Sequence, residues 1–411
     1  MKYKEIFPLP IDWLQDVDQS LADTAMRWAE QEVMAKRLEH EEDYEKMLLP
    51  AMCKLLVDIG MQGMVWPEDA GGSGIDSPAL ALTMTAVIEQ VARGDVGIGC
   101  HLANLFAVSS AIGVQPNRDH ALLRKLSTLF CGDQPAIVSL VLPGLGLGGR
   151  DARPEFNGLK IPTTATKKEH GWMIQSDHVR PQLAGADGKL FGVMVQTENG
   201  EIALALVNGD AEGLRRGETI RQTGLAASRN AELSLHDVFI EDKLLICRGE
   251  KRIHGLLSWY YLGCSACALG ALLTTYEIIR DWGDARVIKG KRQVFKNNPL
   301  TASLMGDIAM CIGVDRLLTY HLAYLLSKPD VYGEAGDSAI FATANAVLDQ
   351  VTQSAMAALD NTMELMASAG YAVEWQLERY WRDMKTLETY LGPPTAAQMN
   401  MAGHAFGSRV E

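Results

Sequence analysis

The sequence has fewer basic than acidic residues, and this imbalance limits its partners. Its 411 residues include 38 Lys and Arg against 51 Asp and Glu, which gives a formal net charge of −13 at pH 7. Nucleic acid and anionic membrane surfaces are themselves negatively charged, so neither is expected as the main partner. Proline is also scarce, at 15 residues, whereas 47% of the chain is hydrophobic. This composition argues against disorder over most of the length and predicts a globular protein of two or three domains.

Cysteine is sparse and odd in number, which argues against a disulfide framework in a chain of this length. The seven cysteines are scattered along the sequence: Cys53, Cys100, Cys131, Cys247, Cys264, Cys267 and Cys311. Cys264 and Cys267 have a metal-like spacing but no second pair, and they lie in an apolar stretch, so core packing is the favoured interpretation and no metal is expected. The first 13 residues carry charges and two prolines, unlike a secretory signal, so the cytoplasm is the expected location.

One long segment without formal charge, from Gly255 to Tyr276, is compatible with two structures. On length alone it could span a bilayer. It also contains several glycine, serine and threonine residues. A helix buried on all sides in a bundle is therefore the favoured interpretation, and no membrane association is expected.

Hydrophobic periodicity divides the chain into three parts. Apolar residues recur every three or four positions from Leu14 to Trp28, which predicts amphipathic helices in the first third. The middle third contains short apolar runs, two of which flank Asn199-Gly200, a pair typical of a hairpin turn. The last third returns to helical spacing. We therefore predict an α+β, mostly α fold with a helical domain over residues 1–135, an antiparallel β domain over 136–245 and a helical bundle over 246–411.

Three stretches carry a resemblance to a known family. The first runs from Leu56 through Ile59-Gly60 and Pro67-Glu68 to Gly71-Gly72-Ser73-Gly74. The second runs from Gly224 through Ser228 to Asp237-Val238, and the third contains Tyr380, Arg382-Asp383, Lys385, Tyr390 and Gly392. In these stretches, and in its order of helices, strands and helices, the sequence resembles the acyl-CoA dehydrogenase family of flavoproteins over nearly its whole length. The resemblance implies an oxidoreductase that uses FAD and acts on an acyl-CoA thioester in fatty acid or aromatic acid metabolism.

The resemblance places both usual positions of the catalytic base on aliphatic residues. Dehydrogenation requires a carboxylate base and a flavin on opposite faces of the acyl chain. The usual Glu corresponds to Leu391, which precedes Gly392, and the alternative position on a bundle helix corresponds to Leu262. A leucine cannot accept a proton, so no catalytic residue is assigned. Tyr261, Leu262, Leu391 and Gly392 are expected to line the substrate pocket, and Glu388, the acidic residue nearest Leu391, is interpreted as a solvated or paired surface carboxylate.

The resemblance also implies a set of cofactor-binding positions, at several of which the family residues are replaced. These positions are Val141, Leu142, Arg180, Gln182, Arg286, Glu364 and Ser368. Val141 and Leu142 precede a glycine-rich run, Pro143 to Gly149, which is interpreted as a turn because no helical pattern follows it. The positions of Arg286 and Glu364 imply contacts across a subunit boundary, where a carboxylate near the diphosphate of FAD is unfavourable. FAD is the expected cofactor, with fewer contacts than the family usually provides.

More than one kind of function is compatible with these residues. The accumulated losses favour a base-deficient partner in a heteromeric acyl-CoA dehydrogenase, in which a homologous subunit supplies the base. The alternatives are a flavoenzyme of the same fold with altered chemistry, such as elimination or monooxygenation, and a scaffold subunit without catalysis. The resemblance implies assembly with a homologous partner subunit or as a homotetramer, and electron transfer to an electron-transfer flavoprotein if the protein is active. The sequence does not specify the acyl group.

Overall fold

The computed structural model describes residues 11–36, 38, 44–66, 68–73, 77–113, 120–142, 161–288, 290, 292–390 and 394–407. Leu391, Gly392 and the run from Pro143 to Gly149 lie outside these residues, so the predictions for them stay predictions. Within the described part, helices precede and follow a central sheet, which confirms the predicted α+β, mostly α fold. The change from helix to strand falls between Phe130 and Val138, and the return to helix falls between Ile246 and Glu250. The limits of the three domains stay a prediction.

Helices occupy the described residues before the first strand. They are α1 (Asp16–Trp28), α2 (Tyr44–Cys53), α3 (Ser77–Gly94), α4 (Val96–Gly113) and α5 (His120–Phe130). Short π-helical segments, Ala29–Met34 and Lys54–Asp58, continue α1 and α2. The apolar stripe of α1 packs on α3, as its spacing predicted. Periodicity did not predict α4, because this helix is buried almost all round and lacks the polar face that makes a stripe recognisable.

Among the described residues, the central sheet has eight strands. They are β1 (Val138–Val141), β2 (Thr164–Lys168), β3 (Gly171–Val179), β4 (Leu190–Thr197), β5 (Ile202–Asn208), β6 (Leu214–Thr219), β7 (Ala231–Glu241) and β8 (Leu245–Ile246). Their order is β6-β7-β3-β2-β4-β5-β8, with β1 beside β4. The predicted hairpin is confirmed as β4 and β5, and Gly200 adopts a φ of +80° in its turn. The sheet is mixed rather than wholly antiparallel, since β1 and β2 run parallel to β4; the long connections between these strands make parallel pairing possible.

The carboxy-terminal part is again helical. Its helices are α6 (Glu250–Ala285), α7 (Pro299–Ser327), α8 (Pro329–Tyr332), α9 (Ser338–Met366), α10 (Leu377–Tyr390) and α11 (Pro394–Phe406). A two-stranded ribbon, β9 (Val287–Ile288) and β10 (Gln293–Val294), lies between α6 and α7. The stripe of apolar residues that begins near Phe341 is confirmed as the buried face of α9, which packs on α6 and α7.

The long helix α6 is enclosed by helices from both ends of the chain. It packs against α3 and α4 and also against α7 and α9. Glycine permits this close approach, because a Cβ at Gly263 would lie 2.6 Å from the Cβ of Ala103, and one at Gly270 would lie 2.6 Å from the Cβ of Ala92. Length and composition alone would let α6 cross a membrane, but its most apolar window is 100% buried inside the protein. The prediction of a bundle helix is therefore confirmed.

Two apolar cores meet at the end of β1. The larger core joins the helices of both terminal parts to one face of the sheet, and it includes Leu142. The smaller core lies within the sheet and includes Val141, Trp172 and Phe191. Successive residues of a strand point to opposite faces, so the chain leaves β1 at the boundary between the sheet and the helices.

A buried ion pair joins α3 to α7. Arg316 donates two hydrogen bonds to the carboxylate of Glu89, one from Nη2 at 2.6 Å and one from Nε at 3.2 Å. The side chains of Arg316 and Glu89 are only 4% and 0% exposed. Gln90 donates a further hydrogen bond to Glu89 at 2.8 Å. Such a pair is costly to form, but removing one partner leaves a desolvated charge and is costlier still.

We expect Arg316→Leu to lower the free energy of unfolding by about 3–5 kcal/mol, because it leaves the Glu89 carboxylate buried without its cation. Urea-induced unfolding measures this change. The control is Arg124→Ala, which breaks a pair with Asp69 whose side chains are 67% and 58% exposed, and which should cost about 0–1 kcal/mol. If both variants lower the free energy of unfolding equally, the buried pair is no more important for stability than the exposed one.

A second buried carboxylate, Asp315 on α7, makes stability depend on pH. Burial raises the pKa of Asp315 to about 7, and the Ser354 hydroxyl offsets this only in part. The folded protein therefore retains a proton that the unfolded chain loses above its ordinary pKa of 3.8. Because the native state binds more protons in this range, the free energy of unfolding falls as the pH rises from about 4 to about 7.

We expect Asp315→Asn to remove this part of the pH dependence and to stabilise the protein at pH 8 relative to wild type. The measurement is thermal unfolding of both proteins between pH 5 and pH 8. Asp307 is exposed on the same helix, so Asp307→Asn is the matched control. It should leave the slope of the melting temperature against pH unchanged. If Asp315→Asn keeps the wild-type dependence of melting temperature on pH, Asp315 is not the group that causes this dependence.

Candidate functional site

The segment 180–184 lies alongside the end of β1. The backbone N–H of Gln182 donates to the Leu140 carbonyl at 2.8 Å, and the Ser139 hydroxyl donates to the Leu183 carbonyl. Val141, Leu142 and Gln182 are all buried, at 4%, 3% and 1% exposure. The structure therefore brings together three of the predicted cofactor-binding residues.

A hydrogen bond joins this segment to α6. Tyr260 Oη donates to Gln182 Oε1 at 3.3 Å, and both side chains are 1% exposed. Burial raises the pKa of Tyr260 well above its ordinary value, so the phenol remains protonated. We call this contact, with the end of β1, the segment 180–184 and the parts of α4 and α6 that face them, the seam. It is where the sheet and the helical parts meet.

The predicted pocket residues on α6 lie next to the seam and inside the helical core. The ring of Tyr261 stacks on Phe341 with centroids 6.2 Å apart. Leu262 is 0% exposed, and its neighbour Gly263 abuts Ala103 on α4. Leu262 therefore occupies surroundings that suit a hydrocarbon side chain.

Helix α4 places two polar side chains in this apolar region, and sequence periodicity did not identify them. His101 is 4% exposed, and its Nε2 lies 2.9 Å from the Ala227 carbonyl. Asn104 is 0% exposed, and neither its Nδ2 nor its Oδ1 has a hydrogen-bond partner among the described residues. The signal that could have found them is the occurrence of His and Asn within the otherwise apolar sequence of α4.

The loop that His101 contacts is held by α10. Asp383 accepts a hydrogen bond from the backbone N–H of Leu225 at 2.5 Å. Gly224 is needed at this contact, since an added Cβ would lie 2.2 Å from the Arg382 carbonyl oxygen. Burial, together with the nearby Asp95, raises the pKa of Asp383. The Arg382-Asp383 motif therefore positions the loop that borders the seam.

The segment after α10 carries the predicted base position. Leu391 and Gly392 lie outside the described residues, and their roles stay predictions. Glu388 is described, and its carboxylate accepts a hydrogen bond from Lys385 Nζ at 2.8 Å. The interpretation of Glu388 as a paired carboxylate is therefore confirmed.

Of the remaining predicted cofactor residues, one is held in an ion pair and the others lie away from the seam. Arg180 is ion-paired with Glu232 at 2.7 Å. Arg286 ends α6, about 36 Å from Leu262 at about 1.5 Å per helical residue, and its guanidinium lies over Trp282 at 5.2 Å. Glu364 and Ser368 are exposed around the end of α9. A single chain thus exposes Arg286, Glu364 and Ser368 on its surface instead of bringing them to the seam.

Metal binding has no support in the part of the chain that the structure describes. No group of three or more His, Cys, Asp and Glu side chains could hold an ion there. Cys264 and Cys267 are fully buried, and Cys267 Sγ lies 3.9 Å from Cys100 Sγ. Core packing of these two cysteines is confirmed.

Comparison with known proteins identifies the family. Residues 15–116 match the family description "Acyl-CoA dehydrogenase, N-terminal domain", and residues 248–405 match "Acyl-CoA dehydrogenase, C-terminal domain". Benzylmalonyl-CoA dehydrogenase of Aromatoleum aromaticum is 24% identical over 384 residues, which cover 90% of this chain and 93% of that protein. The mitochondrial short-chain specific acyl-CoA dehydrogenase of Homo sapiens is 23% identical over 410 residues, covering 96% of this chain and 91% of that protein.

Solved structures show the same fold. Butyryl-CoA dehydrogenase from Megasphaera elsdenii has a TM-score of 0.78 at 21% identity, covering 96% of this chain and 99% of that one. Glutaryl-CoA dehydrogenase from Mycobacterium smegmatis in complex with FADH2 has a TM-score of 0.76 at 18% identity, and the match covers 98% of this chain and 97% of that one. Both matches extend over the helices and the sheet that form the seam. The chain belongs to the acyl-CoA dehydrogenase family.

Proposed function

We propose that the chain is the base-deficient subunit of a heteromeric acyl-CoA dehydrogenase, a flavoprotein oxidoreductase that acts on a CoA thioester. The observation that carries the proposal is leucine at both base positions, Leu391 and Leu262. Leu262 is completely buried among apolar groups, which supports a hydrocarbon role for this residue. A homologous partner subunit then supplies the carboxylate and completes a flavin site at the shared boundary.

The chemistry limits what the residues of this chain can do. Dehydrogenation removes a proton from the carbon next to the thioester carbonyl and a hydride from the following carbon. FAD, when bound, accepts the hydride. Tyr260 cannot act as the base near neutral pH, because burial raises its pKa and its hydroxyl donates to Gln182. The expected contribution of the seam is therefore to enclose the acyl group, orient it and exclude water.

The predicted cofactor positions fit FAD in part. Gln182 has a buried amide nitrogen, Nε2, without a partner among the described residues, and this donor suits an acceptor on the edge of the flavin ring. Val141 and Leu142 offer only backbone groups for hydrogen bonding. The charge of Arg180 is offset by Glu232, and Glu364 adds a negative charge at a position expected near the diphosphate. We therefore expect the isolated chain to bind FAD weakly.

An exposed apolar face supports assembly with another subunit. Met310, Val314 and Leu317 recur at helical spacing on α7, and they are 63%, 54% and 62% exposed. Contiguous exposed apolar side chains of this kind mark protein contact sites. A partner bound to this face would cover hydrocarbon that the single chain leaves in water.

The proposed reaction also needs an electron acceptor. Electrons from the assembled enzyme would pass to an electron-transfer flavoprotein.

We expect Leu391→Glu to restore proton abstraction when FAD and a thioester are both bound. Exchange of the α-proton of butyryl-CoA in deuterated water, followed by mass spectrometry, should be about 100-fold faster than in wild type, because a positioned base contributes about this much or more. The control is Leu391→Gln, which has a similar size but cannot accept the proton and should behave like wild type. The visible absorption spectrum of each sample reports its bound FAD.

Two results would contradict this proposal. One is oxidation of butyryl-CoA by the wild-type chain alone at a rate similar to that of Leu391→Glu. The other is an absence of exchange in Leu391→Glu although FAD and the thioester are both bound, which would place residue 391 away from the acyl chain. FAD bound fully by the isolated chain, together with elimination or oxygen transfer, would favour the flavoenzyme with altered chemistry.

We expect Val314→Lys to weaken assembly, because it places a charge in a face that must be desolvated on contact. Light scattering of the chain coexpressed with its partner measures the mass of the complex, which should fall toward that of separate subunits. Val17→Lys on α1 is the matched control, since Val17 is 49% exposed and Val314 is 54% exposed. Dissociation by both variants, or by neither, would argue against the α7 face as the contact.

A further inference from the structure

His101 and Asn104 form a buried polar pair on α4 whose hydrogen-bonding capacity the described residues do not fill. His101 Nδ1 and both amide atoms of Asn104 have no partner among them. Buried polar atoms in folded proteins are almost always hydrogen-bonded to protein, water or ligand. The pair therefore indicates a polar partner beyond the residues that the structure describes.

The hydrogen bond at Nε2 determines what His101 offers. Burial lowers the pKa of His101, so the imidazole is neutral. Its Nε2 lies 2.9 Å from the Ala227 carbonyl oxygen, which can only accept, so Nε2 carries the hydrogen. Nδ1 is then a bare acceptor. A partner for Nδ1 must donate a hydrogen bond.

Helical geometry gives the direction of Asn104. On the same helix, a Cβ at Gly97 would contact Ala227 of the sheet-side loop, whereas Cys100 contacts Cys267 of α6. At about 100° per residue, Asn104 projects between these two directions, about 20° from Gly97 and about 40° from Cys100. It therefore points to the line along which α6 meets the sheet-side loops.

The level of Asn104 along the helices also coincides with the seam. Ala103 of α4 faces Gly263 of α6, and Cys100 faces Cys267. The two helices are thus antiparallel, and Asn104 lies opposite the turn of α6 that carries Tyr260 and Leu262. The bond between Tyr260 and Gln182 crosses the seam at this turn.

These features specify which chemical group could bind to His101 and Asn104. Nδ1 of His101 requires a donor, and the amide of Asn104 can both donate and accept. A hydroxyl group meets both requirements, whereas a carboxylate cannot donate to Nδ1. The seam also contains Leu142 and Leu262, whose apolar side chains belong to the larger core and suit the carbon skeleton that carries the hydroxyl.

We propose that His101 and Asn104 recognise a hydroxyl group on the acyl chain, so that the substrate class of this site is a hydroxylated acyl-CoA thioester. The inference rests on the proposed function, which places a thioester at the seam. Asn104 and His101 act in it as specificity-determining residues and take no part in proton or hydride transfer. A plain acyl chain would leave their buried polar atoms unpaired, and this penalty discriminates against it.

The test measures thioester binding by the full chain, with and without FAD, by isothermal titration calorimetry. The probes are two matched pairs that set the hydroxyl at different depths: butyryl-CoA with 4-hydroxybutyryl-CoA, and hexanoyl-CoA with 6-hydroxyhexanoyl-CoA. We expect the hydroxylated member of at least one pair to bind at least about tenfold tighter to wild type. Asn104→Leu and His101→Phe should lose this preference while still binding the plain thioesters.

A buried asparagine elsewhere provides the control. Asn345 is 2% exposed and makes two hydrogen bonds, donating to the Phe341 carbonyl at 2.8 Å and accepting from Asn400 at 2.9 Å. Asn345→Leu should lower the melting temperature and leave the preference intact. In the ligand-free protein Asn104→Leu should melt at or above the wild-type temperature, because it removes an unpaired amide.

Several outcomes would overturn the inference. Plain and hydroxylated thioesters that bind equally well at both lengths would overturn it and leave the proposed function standing. If Asn104→Leu keeps the preference for hydroxylated thioesters, other residues cause that preference. If the variant keeps the preference but binds FAD more weakly, the polar pair contacts the flavin instead of the acyl chain. A marked destabilisation of ligand-free Asn104→Leu would show that the amide is satisfied within the protein. Failure of all four thioesters to bind would overturn both the inference and the proposed function.

Discussion

The enclosure of α6 is the constraint on which the rest of the structure depends. This helix carries an uncharged stretch long enough for a bilayer, and the protein buries that stretch by packing helices from both terminal parts around it. Gly263 and Gly270 let α4 and α3 approach more closely than any side chain would allow. Because α6 also contributes Tyr260 to the seam, the same packing that hides the helix fixes the position of the candidate site relative to the sheet.

This arrangement explains why a carboxylate at position 262 would be hard to accommodate here. The site of Leu262 is fully buried and apolar, and a charged base in it would need a partner or would shift its pKa strongly. The polar side chains at the seam itself, a phenol, an imidazole and two amides, carry no charge. A neutral, partly unsatisfied lining favours recognition of an uncharged polar group.

Sequence reasoning succeeded where a segment leaves a recognisable local pattern, as the long uncharged stretch of α6 also does. The stripe of α1 and the hairpin at Asn199-Gly200 were predictable, because amphipathic spacing and turn chemistry leave a local pattern. Helix α4 was missed because burial on nearly all sides removes the contrast between its faces. The parallel pairing of β1 with β4 was also missed, since pairing between distant strands has no local signature. At the site, family motifs indicated Val141, Leu142 and Gln182, but His101 and Asn104 gained significance only from their burial.

The predicted site residues fall into two groups that lie in different parts of the structure. Gln182 and Leu262 lie at the seam, whereas Arg286 is about 36 Å farther along α6 and Glu364 is exposed around the end of α9. If the second group serves a flavin, that flavin belongs to another chain. A subunit in a mixed assembly can then retain its contribution to a neighbour's site after its own chemistry is gone.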